Sequence, residues 1–311
     1  MQGGLAAAGL LAALVTWQRE TVRSPGEALV IDATRNELER VRYEDDKGWA
    51  ELERRREGGE PSVWLRLSAR AEPKTPQREV RGNDAAEKLY ERFTPLRAIR
   101  SLGVLDPAKL KELGLDTSKK RLEITARGAK HRFVIGAPVG VSTDPYLRDE
   151  RDGRVYVVAR AATADLDSAA VRLMDRKLHV FKLGEVDSMT IKAGAKQREL
   201  RVQARGDDLS SVKLTPPNAP EKPDEMAKNW HDKLWRLFPM DVLGKGEVPI
   251  TGAPQPVVRV NYAERGKSVG WIELAIGGTD PLARTEHTPG WVKLHTTAEI
   301  VNEGEKIAGA E

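Results

Sequence analysis

The chain repeats itself, and no other property of the sequence limits its possible folds so strongly. Residues 37–54 run without a gap alongside 185–202, at an offset of 148. Leu38 falls on Val186, Val41 on Met189, Tyr43 on Ile191, Glu51 on Glu199 and Leu52 on Leu200. Both copies alternate apolar residues around a turn, Asp45-Asp46-Lys47-Gly48 or Ala193-Gly194-Ala195-Lys196, which is the pattern of a β-hairpin. Residues 84–103 run alongside 225–244 at an offset of 141. There Ala86 meets Ala227, Leu89 meets Trp230, Phe93 meets Leu234, Leu96 meets Leu237, Ile99 meets Met240, Leu102 meets Leu243 and Gly103 meets Gly244. Apolar steps of three and four make one face of a helix, with Asp84 and Asp224 placed as N-caps. Pro95 and Pro239 limit each helix to about three turns, and the glycines fit a C-terminal stop. Residues 143–158 run alongside 279–294 at an offset of 136, with Thr-Asp-Pro in both copies. Here Arg148 meets Arg284, Glu150 meets Glu286, and Val155, Val157 and Val158 meet Trp291, Lys293 and Leu294. Ahead of this block, Arg127-Gly128 and Arg265-Gly266 share a strand–turn–strand setting.

The unit is therefore hairpin, helix, then a meander of about three strands. Used twice, it predicts an α+β fold: two duplicated lobes, each a mostly antiparallel sheet with a helix packed on one face. The expected division is a first lobe at 24–158, a connecting helix at 159–183 and a second lobe at 184–301. The Ala- and Leu-rich run from Ala161 to Leu173, closing on Arg172, Arg176 and Lys177, suggests the connecting helix. Residues 206–224 hold four prolines and read as a stiff exposed loop inside the second lobe. The tail at 302–311 shows no apolar period and is expected to fray.

Ahead of the lobes, segment 1–23 contains an uncharged run from Gly3 to Trp17, GGLAAAGLLAALVTW. A membrane-spanning helix needs about 20 residues, so this run is short for one, though Trp17 stands where an interfacial aromatic belongs. It reads first as an uncleaved membrane anchor, and otherwise as a signal peptide or an apolar helix of a soluble body. Arg19 and Arg23 follow the run, which by the positive-inside rule turns the body toward the cytoplasm. A short basic leader ahead of the run would turn it toward the periplasm.

Chemistry is harder to find. With no cysteine, the chain has no disulfide, thiolate nucleophile, Cys–metal site or lipidated Cys. The five histidines show no metal-ligand or metalloprotease spacing and read as surface or half-buried residues. No phosphate loop and no nucleophile elbow occurs. The net charge of +4 comes without a clustered basic run, which argues against nucleic acid. No catalytic, cofactor or metal residue is assigned. Trp230 and Trp235 read as core, with a docking face as the alternative. The repeated charges Arg148, Glu150, Arg284 and Glu286 read either as exposed turn charges or as a binding rim on the two lobes.

One stretch carries a resemblance. Residues 155–181, VYVVARAATADLDSAAVRLMDRKLHVF, join a strand, a helix and an Arg-x-Met-Asp-Arg-Lys-Leu-x-x-Phe run, followed by a strand at Val186 to Lys192. This resembles a bacterial family of unknown function, whose membrane-anchored members are associated with gliding-motility-type ABC transporters. PLRAIRSLGVLDPAKLKELGLDTSKKRLEI at 95–124 and RFVIGAPV at 132–139 fit it too, and 85–205 is the best-covered stretch. Family members usually place a basic residue or two before the anchor, and this chain does not. No catalytic residue is established for the family, so none is carried over. The resemblance implies a non-enzymatic, inner-membrane-anchored scaffold or adaptor with a periplasmic body, whose partners are an ABC-type permease and ATPase. The alternative is a periplasmic module binding glycan or lipid in the cleft between lobes.

Overall fold

The computed structural model describes residues 27–57, 60–69, 77–138, 143–249 and 252–310. The expected anchor at Gly3 to Trp17, and segment 1–23 as a whole, lie outside them. Among the described residues, no helix is long and apolar enough to cross a membrane. The fold is mostly β-sheet with a few helices.

The chain divides into two units, but not at the boundaries expected from the repeat. The first takes the described residues up to Glu53 and then Glu87–Ser168; the second takes Arg54–Ala86 and Ala169 onward. The reason is where residues 54–86 find their partners. Arg78 forms ion pairs with Asp241 at 2.7 Å and Glu247 at 3.0 Å, and Gly82 bridges to Met174.

In the first unit, β1 (Ala28–Ile31) is followed by the hairpin β2 (Leu38–Glu44) and β3 (Gly48–Arg55). The second unit then takes the antiparallel pair β4 (Ser62–Ala69) and β5 (Arg78–Arg81). Next come α1 (Asp84–Glu91), β6 (Leu96–Ala98), β7 (Arg100–Val104) and α2 (Pro107–Glu112). The meander β8 (Arg121–Ala126), β9 (Ala129–Gly136), β10 (Tyr146–Asp149) and β11 (Arg154–Val157) completes the first unit. Its strands lie antiparallel in the order β3-β2-β8-β9-β10-β11-β7, and β1 pairs separately with β6.

The second unit continues with α3 (Ala169–Arg172), β12 (Ser188–Ala193), β13 (Lys196–Arg205), β14 (Asp208–Thr215) and α4 (Glu225–Trp235). It ends with β15 (Pro239–Val242), β16 (Pro256–Glu264), β17 (Lys267–Gly277), β18 (Asp280–Thr285), β19 (Val292–Leu294) and α5 (Glu299–Ala308). The sheet order is β14-β13-β12-β16-β17-β18-β19-β15. From β13 to β15 this is the connectivity of the first unit. The register agrees as well. Val41 pairs with Leu52 as Met189 pairs with Leu200, and Tyr156 pairs with Ser101 as Val292 pairs with Val242.

The matched local features have matched causes. Arg127 and Arg265 have φ of 51° and 49°, each followed by a glycine at positive φ. These two-residue turns close β8–β9 and β16–β17, and their left-handed backbone matches the twist of a hairpin. The Glu37 carboxyl, bonded by the Arg127 guanidinium at 2.8 Å, is held down at about 2. Arginine is strained in this conformation, and asparagine tolerates it better. Arg265→Asn is therefore expected to stabilise the protein by about 1 kcal/mol. A thermal melt with an unchanged or lower midpoint would contradict this.

Four expectations need correction. Asp224 caps α4, accepting from the Ala227 N–H at 2.9 Å, but Asp84 does not cap α1. Asn83 does, accepting from Ala85 and Ala86 N–H at 3.0 and 3.1 Å. Asn83 is the residue that the offset of 141 lays on Asp224. Residues 159–183 form no continuous helix, only a 3-10 turn at Arg160–Ala162 and the short α3. Asn83 ends α3 by donating to the carbonyls of Arg172, Leu173 and Met174. Half of the Pro-rich stretch 206–224 is strand, because Val212 and Leu214 alternate into the core of β14. The tail does not fray. Ile300, Val301, Gly304, Ile307 and Ala308 make one buried face of α5, packed on α4 and β12. That period starts at Ile300, ahead of the tail boundary at 302, so the truncated segment hid it.

Candidate functional site: an arginine–tryptophan cleft

Along β16 and β17, alternate residues face opposite sides of the sheet. Val258, Val260, Tyr262, Ile272 and Leu274 are fully buried on the side covered by α5. The other set carries Arg259, Asn261, Trp271 and Glu273. Glu273 stands directly between Arg259 on β16 and Arg284 on β18. Its carboxylate accepts from Arg259 Nη1 at 2.6 Å and from Arg284 Nε. The carboxylate is almost wholly covered, at 9% exposure, whereas Arg284 keeps 42% of its side chain in solvent. Each guanidinium also lies over an indole: Arg259 is 4.2 Å from the Trp271 ring centre and Arg284 is 4.8 Å from that of Trp291. Such stacking adds about 0.5–1 kcal/mol apiece at exposed positions and flattens the guanidinium against the ring.

Part of this arrangement lines an open cleft of about 410 Å³. Trp271, Arg284 and Trp291 line it from the sheet, and Val248, Pro249 and Pro254 from the loop before β16. Beneath it, Ala275, Leu282 and Trp291 pack with Leu243. Glu247, at the rim, is saturated: Arg78 donates to both of its oxygens at 3.0 Å and Gly244 N–H donates at 2.6 Å. Arg284, which lines the cleft, spends Nε on Glu273, so its Nη pair is the part of the guanidinium left for a ligand.

The first unit shows why the cleft is open. Arg121, Val134 and Arg148 hold the cross-strand positions of Arg259, Glu273 and Arg284. There the face is filled: α2 and the turn after it bring Leu110, Leu113 and Leu115 onto Val134 and Val155. Among the described residues between β15 and β16, no helix replaces α2. Without that cover, the second unit replaces apolar Val134 and Val155 with charged Glu273 and amphipathic Trp291.

Of the four residues read as a binding rim, the structure assigns only Arg284 to the cleft. Glu286 instead accepts from Trp271 N–H, inside β17, at 2.7 Å. Arg148 and Glu150 lie on the first unit. Arg148 Nε is buried without a hydrogen bond, and Glu150 pairs with Arg121 at 3.2 Å. Sequence reasoning missed Arg259, Trp271 and Glu273. The signal was there for Glu273, a lone acid inside the apolar run WIELAI of residues 271–276.

A second group lies on the covered side of the same sheet. His231 on α4 is fully buried, a correction to its reading as surface or half-buried. His231 and His179 both pack with Trp235 and Tyr262, His179 stacking on Trp235 at 4.7 Å. Phe181 closes the group. Burial holds both imidazoles down at about 4, and pushes the Tyr262 hydroxyl up. All four imidazole nitrogens and the Tyr262 hydroxyl lack hydrogen-bond partners. Trp230 is core, at 2% exposure, as expected; Trp235 is half-buried in this group, and Phe238 is exposed. Among the described residues, no group of three or more His, Asp or Glu side chains could hold a metal ion.

Fold and site together describe an α+β protein built on two sheets of one connectivity, with a charged aromatic cleft on the second. Residues 83–237 match the family described as "Domain of unknown function (DUF4340)". The match starts at the cap of α1 and ends just past α4, and it contains the whole of the stretch 85–205 that best carried the resemblance. No curated protein and no solved structure matches the chain.

Proposed function

We propose that the protein is a non-enzymatic scaffold or adaptor subunit of a cell-envelope complex. In this reading Gly3 to Trp17 anchors it in the inner membrane, the two units stand in the periplasm, and an ABC-type permease with its ATPase is the partner. The observation that carries the adaptor role is the cleft. In the second unit no described helix covers this face, and Arg284 lies on the Trp291 ring, a surface suited to holding a partner by shape and charge. The anchor, the setting and the transporter follow from the sequence resemblance. Affinity purification of the full chain from membranes in mild detergent, with mass spectrometry of what it retains, tests this. A permease and its ATPase are the expected companions; a partner-free chain recovered from the soluble fraction would overturn the reading.

A second reading, a ligand-binding module for glycan or lipid, is favoured by the presence of Trp271 and Arg284 in the lining of one cleft. It places the ligand in the cleft of the second unit.

A further inference from the structure

We infer that the cleft of the second unit binds a saccharide carrying a carboxylate, as in a uronic acid. The inference rests on the ligand-binding reading and gives it a chemistry.

Charge comes first. Arg259, Glu273 and Arg284 together carry one net positive charge, while behind the rim Arg78 is shared between Glu247 and Asp241, whose surplus negative charge disfavours a dianion more than a monoanion. The excess sits on Arg284, whose Nη pair is the planar fork that a carboxylate fits with two parallel hydrogen bonds. A monoanion balances that single charge, whereas a phosphate monoester brings nearly two negative charges. The fork is also held in place. Glu273 fixes Nε from one side and the Trp291 ring supports the guanidinium plane at 4.8 Å, so little side-chain entropy is left to lose on binding.

Shape comes second. At about 410 Å³ the cleft falls in the lower part of the range for small-molecule sites, which suits one or two sugar rings. Its floor is closed by Trp291, Ala275 and Leu282, all buried, so it offers no channel for an acyl chain. A peptide bound by strand addition needs an unpaired edge, but β17 and β18 are interior strands with both edges taken. What remains is an apolar lining beside Arg284: Trp271 on the sheet side, its other face covered by Arg259, and Val248, Pro249 and Pro254 on the loop side. The C–H face of a pyranose packs on this apolar lining, with its carboxylate on Arg284.

Isothermal titration of the full chain in mild detergent tests this with four probes: digalacturonate, the uncharged disaccharide lactose, inorganic phosphate and phosphatidylglycerol vesicles. Digalacturonate is expected to bind saturably and more weakly as salt rises. Lactose should bind at least tenfold more weakly, and phosphate and vesicles should not saturate. Arg284→Gln should reduce digalacturonate affinity at least tenfold and Trp271→Ala at least fivefold. Arg148→Gln, at the equivalent position of the first unit, should leave it unchanged. If Arg284→Gln melts early, Arg284→Lys keeps the charge without the fork and should show the loss. Lactose binding as tight as digalacturonate, or digalacturonate binding indifferent to Arg284, overturns the carboxylate while leaving a sugar-binding cleft. Saturable phosphate or vesicle binding in place of digalacturonate overturns the saccharide. No binding of any probe overturns the ligand-binding reading itself and leaves the adaptor reading to the purification experiment.

Discussion

Between pH 7 and pH 4.5 the protein is expected to lose several kcal/mol of stability, most of it from His179 and His231. Both imidazoles sit at about 4 in the folded chain, against 6.5 for a free one, because burial penalises the charged ring. For His231, Lys228 adds to the depression and Asp232 opposes it; for His179, His231 and His287 add to it. The unfolded chain therefore binds protons more readily than the folded one. Stability is full above pH 6.5, falls as the pH drops through that value, and levels off below about 4. A shift of this size corresponds to about 3 kcal/mol for the fully buried His231, and to less for half-buried His179. Carboxylates held down in the fold, such as Glu37 and Asp175, act at lower pH, since their ordinary values are 4.5 and 3.8. Urea unfolding at half-unit steps from pH 7.5 to 4.5 reads the loss due to the two histidines. His231→Phe removes the titrating ring and should flatten much of the slope. A wild-type profile flat above pH 5 would sink the assignment.

Trp230→Ala is expected to cost about 3–5 kcal/mol, the usual range for emptying a fully buried large aromatic position. Trp230 is 2% exposed on α4, and its indole N–H donates to the Ile300 carbonyl of α5 at 2.8 Å. Gly304 faces the same ring so closely that a Cβ there would lie 2.7 Å from it. Truncation thus removes core volume and the bond that ties the C-terminal helix down. Hydrogen exchange separates the two effects. Amides of α5 should lose protection first, ahead of the β16–β17 strands. Denaturation that costs less than about 1 kcal/mol, with α5 still protected, would show that the helix is held by something else.

The repeat was legible because β-pairing and helix packing both leave periodic traces. The offsets 148, 141 and 136 reappear as strand register, down to Val41 with Leu52 and Met189 with Leu200. The paired Arg-Gly turns were legible for the same reason, since a two-residue hairpin turn has few sequence solutions. Misreadings came where a local pattern was cut or overruled. The buried face of α5 was split by a boundary at 302. The Ala-rich stretch after 159 reads as helix, but only Arg160–Ala162 and Ala169–Arg172 are helical, and Asn83, far away in the sequence, takes the carbonyls of Arg172 to Met174 that would continue the second. The interleaved division of the units was invisible because Arg78 meets Asp241 and Glu247 only in three dimensions.

By itself the sequence determined an α+β chain with one supersecondary plan used twice, and it singled out Arg284 as a residue that both copies keep charged. Only the tertiary structure decided that Arg284 and Arg148 have different surroundings. Periodicity reports which face of a strand a side chain occupies, and it is silent on what covers that face. In the first unit α2 covers it; in the second no described helix does, and Trp271, Arg284 and Trp291 line a cleft there.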